Sequence, residues 1–411
     1  MNYFIKNIHV NKLFHLNNFD IPIDDEKYPH LIITGKNGSG KTILLNAVSD
    51  FLNIIKNDAS AEFLDYHERL NSCNERLKRE TDEHGKMQAQ QNVDYYIKKI
   101  DNLYGRIDLQ SDLMVNIIEK YNKGQFVIAF YQAARKPQMA EPKNPTKPVY
   151  NKNGNVKDTA TSQFLNFLSD LKIQEALARN EKQTKDADEI GTWFEDFEDL
   201  MKQIYQDDHL KLEFNYRDYS FRICTEGKKF KFTEVSDGFA AVLDIVADLI
   251  LKMQDDNSLT RIYQKEGIVL IDEIETHLHL ALQKVIMPLL TKVFPNIQFI
   301  ITTHSPFVLS SMPNAVAYDL EHREVLDDLT EYSYESLAEG YFGVTTPSSY
   351  VEMQFDSFKK LLLKEKLTDA DKVELKRFKE DFEKMNEVVS PLIVGEFRKI
   401  AIQNADKLKD L

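Results

Sequence analysis

Residues 31–42 read Leu-Ile-Ile-Thr-Gly-Lys-Asn-Gly-Ser-Gly-Lys-Thr. Three apolar β-formers run into Gly35, and Gly40-Lys41-Thr42 follows four residues later, the spacing G-x-x-x-x-G-K-[ST]. That spacing constrains the chain more than any other feature, because it works only between a buried strand and the N-terminus of a helix. The apolar run supplies the strand. Ile43, Leu44, Leu45, Ala47, Val48, Phe51 and Leu52 supply the apolar face of the helix. Glycines at 35, 38 and 40 let successive backbone N–H groups, with those of Asn37 and Ser39 between them, turn toward phosphate oxygens. The helix N-terminus adds partial positive charge. Lys41 is then placed to reach the β- and γ-phosphates, and the Thr42 hydroxyl to ligate Mg²⁺. The fold class implied is α/β.

Length and composition narrow the partners. A chain of 411 residues has room for two or three domains, and 42% hydrophobic with 29% charged residues is globular composition. A net charge of −14 gives no general affinity for nucleic acid, which needs a basic surface. A local basic groove formed on assembly stays open. Cys73 and Cys224 form no C-x-x-C pair, so neither a zinc site nor a disulfide framework is expected. The N-terminus lacks a signal-peptide core, and the most apolar stretch, 242–251, is interrupted by Asp244 and Asp248. A cytoplasmic protein without a membrane segment is the expectation.

Along the chain, 3–10 and 14–23 alternate as two strands, and the phosphate loop and its helix reach to about 56. Between 57 and 125 Gly and Pro nearly vanish. Ile97, Ile100, Tyr104 and Ile107, then Leu113, Ile117 and Tyr121, recur at helical spacing, which predicts a helical insertion without long heptads. Residues 126–131 return the chain to a buried strand. Residues 137–161 predict an exposed loop. Phe164, Phe167, Trp193, Phe194 and Phe197 mark two core helices, and 210–232 reads as an antiparallel meander.

Three further motifs carry chemistry. Ser236-Asp237-Gly238 opens an apolar helix, an anion-binding geometry related to the phosphate loop. Ile268-Val269-Leu270-Ile271 ends in Asp272-Glu273; Asp272 is the expected Mg²⁺ partner of Thr42, and Glu273 is placed to orient or deprotonate water. Phe299-Ile300-Ile301-Thr302-Thr303 ends in His304, suited to a γ-phosphate contact. Both runs read as parallel strands covered on both faces, with their chemistry at the carboxyl ends.

In this order, the motifs resemble the ATP-binding cassette superfamily over residues 1–56 and 126–310. The form Asp272-Glu273-Ile274-Glu275-Thr276-His277-Leu278-His279, with Thr302-Thr303-His304-Ser305-Pro306, is similar to the SMC/Rad50/RecF/OLD branch and to OLD-like ATPases of bacterial anti-phage systems such as Septu and PARIS. The resemblance implies an ABC-type P-loop NTPase with a mixed sheet and a β meander. It implies ATP and Mg²⁺ as cofactors, and a head-to-tail dimer around two ATPs. Ser236 and Gly238 would serve the opposite subunit's γ-phosphate, with Glu273 as catalytic glutamate, His304 as switch histidine and Gln132 as Q-loop residue. The chain departs from the pattern in reading Ser-Asp-Gly rather than Ser-Gly-Gly.

The expected domains are an ATPase core at 1–56 and 126–320, the insertion at 57–125, and a helical interaction region at 321–411. Asp369 and Asp371 read as a helix start behind Thr368, not as a nuclease site. A separately encoded effector, a nuclease by analogy with the family, is therefore the expected partner. The competing readings are a RecF- or Rad50-like repair ATPase that clamps DNA and, less well matched after Asp272, a transporter's nucleotide-binding subunit.

Overall fold

The computed structural model describes residues 5–23, 30–56, 59–111, 114–135, 139–142, 155–254, 265–326, 329, 332, 334–340, 349–364, 366–385, 391–405 and 408. The chain forms two compact units, 1–332 and 333–411.

The first unit begins with β1 (Asn7–Leu13) and β2 (Leu16–Pro22), paired antiparallel, then β3 (His30–Thr34) and α1 (Lys41–Lys56). A helical hairpin follows, α2 (Ala59–Arg79) and α3 (Glu83–Tyr104), and then β4 (Ile107–Gln110), α4 (Met114–Asn122) and β5 (Phe126–Tyr131). Two long helices, α5 (Phe164–Asn180) and α6 (Thr184–Tyr205), precede the meander β6 (Lys211–Asn215), β7 (Ser220–Thr225) and β8 (Lys228–Lys231). The unit closes with α7 (Asp237–Lys252), β9 (Glu266–Ile271), α8 (Leu280–Val293), β10 (Ile297–Thr302), α9 (Pro306–Leu309), β11 (Ala315–Asp319) and β12 (Glu324–Leu326).

The central sheet runs β12-β11-β3-β10-β9-β5, parallel except for β12. Every residue of β3, β5 and β10 is buried, as continuous apolar strands covered on both faces require. The phosphate-loop strand thus lies beside the strand that leads to His304, which lies beside the strand that leads to Asp272. One sheet edge gathers all three motifs.

The structure redraws the insertion at one point. Ile107 ends no helical stripe; Ile107 and Leu109 face the core from β4, which joins β1 in a three-stranded antiparallel sheet. Ile107 continues the helical series 97, 100, 104, but Ile107 and Leu109, spaced by two, share a face only in a strand, and the edge of β1 gives that strand its partner. Similarly β12, inside the region expected to be helical from 321, pairs with β11. The aromatic stripe is core, as predicted: Trp193 stacks on Phe197, with Phe167 and Phe194 edge-on to it. Most of the predicted loop at 137–161 lies outside the described residues.

The second unit holds α10 (Tyr334–Gly340), α11 (Ser349–Leu363), α12 (Asp369–Glu383) and α13 (Pro391–Gln403). Its own core joins Phe355, Phe358, Leu375, Phe378, Phe382 and Phe397. Among the described residues no helix is long and apolar enough to cross a membrane.

Candidate nucleotide-binding site

The loop after β3 turns on glycines that only they can occupy cheaply. Gly35, Gly38 and Gly40 all have positive φ. At Gly35 a side chain would also come within 3.1 Å of the Ser39 hydroxyl and 3.2 Å of the Glu321 backbone nitrogen. Asn37 and Gly38 lie exposed at the crest, whereas Lys41 is buried. The Lys41 ammonium donates to the carbonyls of Gly35 at 2.6 Å and Lys36 at 3.0 Å. Burial lowers its pKa, and Glu273, Glu275, Asp272 and Asp319 around it oppose that shift. From the turn between β1 and β2, the His15 ring nitrogen Nε2 lies 3.1 Å from the Ser39 carbonyl.

Across the sheet edge, Asp272 leaves β9 and is buried. Its Oδ1 accepts from the Thr42 hydroxyl at 3.2 Å and from the Thr302 hydroxyl at 2.7 Å. The predicted metal pair is therefore in contact. One hydroxyl and one carboxylate beside a phosphate loop suit Mg²⁺, which takes one or two protein ligands and fills its shell with phosphate and water. The Ser39 hydroxyl oxygen is buried without a protein partner, a polar atom facing the same loop. The residues present fit Mg²⁺ with a nucleotide phosphate.

Glu273 has φ +44°, a left-handed backbone that costs a non-glycine residue about 1 kcal/mol or more. Its N–H donates to Thr302 Oγ1 at 2.8 Å, and Thr276 donates to its carboxylate at 3.4 Å. His304 is half-buried; burial and then the Lys41 charge lower its pKa, while Glu273 and Asp272 act against that. Gln132, directly after β5, is exposed; the β5–β9 register, ending at Tyr131 and Ile271, brings it level with Asp272.

Ser236 stands at the N-terminus of α7, exposed, and makes no capping hydrogen bond with its side chain. Gly238 is there for a close approach: a Cβ would sit 2.7 Å from the His277 carbonyl oxygen. The helix that begins at Ser236 is thus seated on the loop that follows Glu273.

Three contributors escaped the sequence reading. Glu275 accepts the His304 N–H at 2.6 Å and the Thr303 hydroxyl at 2.8 Å, and burial raises its pKa. Thr302 links Asp272 to the Glu273 backbone. Arg135 donates to the carbonyls of Asp272, Glu273 and Ile274 at 3.2, 3.1 and 3.2 Å. The paired threonines before His304 and an arginine just past a buried strand were the available signals.

Residues 111–310 match the family described as "AAA domain, putative AbiEii toxin, Type IV TA system". That segment is similar to the ATPase domain of this family. The match covers Asp272, Glu273, Ser236 and His304, while the phosphate loop lies upstream of it. The chain is 30% identical over 171 residues to the Septu protein PtuA of Bacillus mycoides, covering 39% of this chain and 24% of that protein. It is 33% identical over 117 residues to the Retron Vc95 probable ATPase of Vibrio cholerae, 28% of this chain and 21% of that one. It is 47% identical over 77 residues to the Retron Ec83 probable ATPase of Escherichia coli, 18% and 14%. The chain thus spans less than a quarter of each of these relatives. An Smc head solved with the C-winged helix domain of ScpA overlaps it at 13% identity and TM-score 0.37, over 79% of this chain and 96% of that one, too loosely to argue from.

Proposed function

We propose that the chain hydrolyses ATP at a site shared between two copies and thereby controls a separately encoded effector in anti-phage defence. The observation that carries the reading is the contact between Thr42 and Asp272, which joins the phosphate loop to the strand end that bears Glu273. In this reading the loop amides, Lys41 and the Ser39 hydroxyl hold the phosphates. Glu273 takes the proton from the attacking water, and Lys41 and His304 face the charge that gathers on the γ-phosphate oxygens. Mg²⁺, held by Thr42 and Asp272, would add Lewis-acid stabilisation of the same charge.

Ser236 supports the shared site, because its hydroxyl is not spent on its own helix and sits where a 16-residue helix presents its positive end. Gln132, beside Asp272, is the candidate Q-loop residue. Effector control is favoured over DNA clamping by the −14 charge, and a nuclease is the kind of effector the resemblance suggests. The α2–α3 hairpin and the C-terminal unit are the candidate docking elements.

Hydrolysis assays on mixed variants test this. Lys41→Ala should lose nucleotide binding, and Glu273→Gln should bind ATP while turning over on the order of 10²-fold more slowly. Lys41→Ala chains mixed with Ser236→Arg chains leave one intact composite site per heterodimer, so the mixture should regain activity that neither has alone. Wild-type turnover by a strictly monomeric species would overturn the shared site.

A further inference from the structure

We propose that Arg135 is a positioning residue for hydrolysis: one guanidinium, holding three consecutive carbonyls, fixes the left-handed backbone that aims the Glu273 carboxylate. The inference rests on Glu273 being the base.

The peptide 272–274 is tied on both sides, by different elements. Its amides belong to the sheet: the N–H of Asp272 donates to the Tyr131 carbonyl at 2.8 Å, that of Glu273 to Thr302 Oγ1 at 2.8 Å, and that of Ile274 to the Thr302 carbonyl at 3.2 Å. Its three carbonyls all accept from Arg135, and that of Glu273 also takes the Thr276 N–H at 3.0 Å. In a strand, successive carbonyls alternate sides. Here the turn at Glu273, with φ +44°, brings three of them round one point. Their partial negative charges repel and call for a concentrated donor. Arginine's planar fork meets that need, and an ammonium, which is a point charge, does not.

Arg135 is itself held in place. Its N–H donates to the Ala133 carbonyl at 2.9 Å, and the side chain is buried, with Asp244, Glu275, Asp272 and Glu273 near enough to favour its charge. The Nε has no partner, so the contacts run through the two terminal nitrogens. The segment Tyr131–Arg135 therefore grips both faces of the peptide that bears the base. Since the amide bonds survive loss of the guanidinium, the strand end should stay folded while Glu273 loses its fixed orientation.

The test is steady-state hydrolysis by the full chain carrying Arg135→Met or Arg135→Lys, each alone and with Glu273→Gln. Equilibrium binding of a fluorescent ATP analogue and a thermal melt accompany it. Misplacing a catalytic group by about an ångström costs on the order of 10²-fold, so Arg135→Met should lose about that in kcat with KM and nucleotide affinity nearly unchanged. Arg135→Lys keeps the charge but not the fork and should recover only part of the rate. Combined with Glu273→Gln, either substitution should cost little more, because both act through one carboxylate. Wild-type kcat in a folded Arg135 variant, a change confined to KM, or full losses in both backgrounds would overturn the proposal. If Arg135→Met melts below assay temperature, Arg135→Lys decides the matter by the same readings. Wild-type turnover by Glu273→Gln would instead remove the base, a failure visible without any Arg135 variant.

Discussion

Asp272 and Asp371 are aspartates that each accept a threonine hydroxyl bond, one in each unit of the molecule. Asp272 takes Thr302 at 2.7 Å and Thr42 at 3.2 Å, bonds that arrive across the sheet from residues 30 and 230 positions away. Asp371 takes the Thr368 hydroxyl at 2.8 Å and the Thr368 N–H at 3.0 Å, and Lys364 at 2.7 Å, all within seven residues. The first set can form only when three strands are in register, and it gathers hydroxyls that a metal and phosphates can share. The second closes a capping box on α12. Lys364 and the Thr368 bonds hold the Asp371 carboxyl down at about 2, so it stays ionised as a local cap. Long-range convergence, not residue type, separates a chemical carboxylate from a structural one.

The largest effect should come from exchanging the two. Asp272→Asn removes a charge from the metal pair, where metal stabilisation is worth several kcal/mol, and should lower kcat on the order of 10³-fold. Asp369→Asn with Asp371→Asn should leave ATP turnover unchanged. The purified chain with Mg²⁺ or Mn²⁺, ATP and DNA or RNA should leave the nucleic acid whole. Cleavage that vanishes in the Asp369, Asp371 variant would erase the distinction between the two regions.

How much of this was legible in sequence follows the same division. The phosphate loop, Asp272, Glu273 and His304 could be read because each ends a continuous apolar strand, and a strand end is where a parallel sheet puts chemistry. Thr368 could be read because a cap is local. Arg135, Glu275 and Thr302 could not, since their partners lie 28 to 139 positions away and meet only through the loops after β9 and β10, the first with a left-handed turn at a glutamate that no propensity announces. β4 was lost for a like reason: Ile107 also continues the helical series from Ile97, and the partner strand lies a hundred residues earlier.

A second, smaller effect places the pH response in the first unit. His30 in β3 is buried, its Nδ1 accepts the Phe299 N–H at 3.1 Å, and burial lowers its pKa to about 4. Its folded pKa lies below the unfolded value of 6.5, so its contribution is complete above pH 6.5 and is lost as pH falls toward 4, because the unfolded chain takes up the proton first. The loss should approach about 3 kcal/mol. His30→Asn, whose side-chain oxygen can accept the same bond, should flatten this dependence in denaturant unfolding followed from pH 7 to 4.5. The second unit has no histidine, so amide exchange in α11 and α12, once corrected for intrinsic rates, should show no histidine-range step. A step there that His30→Asn removes would tie the two units into one cooperative transition.

The smallest effect tests whether the cap on α12 is as local as its bonds. The Thr368 hydroxyl accepts the Asp371 N–H at 3.2 Å, one of the orphan donors of the first helical turn, while Asp371 returns the bond to the Thr368 backbone. Thr368→Ala deletes the hydroxyl and leaves that donor to water, at a typical cost of about 1 kcal/mol. The core beneath, Leu375, Phe378 and Phe382, is untouched by the change. Amide exchange should therefore quicken about fivefold in the first turn of α12, fading toward Glu383, with ATP turnover equal to that of the unaltered chain. Substituting Thr302 in the same way should do the reverse, slowing turnover sharply because the Glu273 amide loses its partner and Asp272 keeps only Thr42. If Thr368→Ala slowed hydrolysis as Thr302→Ala does, the capping box would be part of the catalytic apparatus and the contrast between the two aspartates would fail.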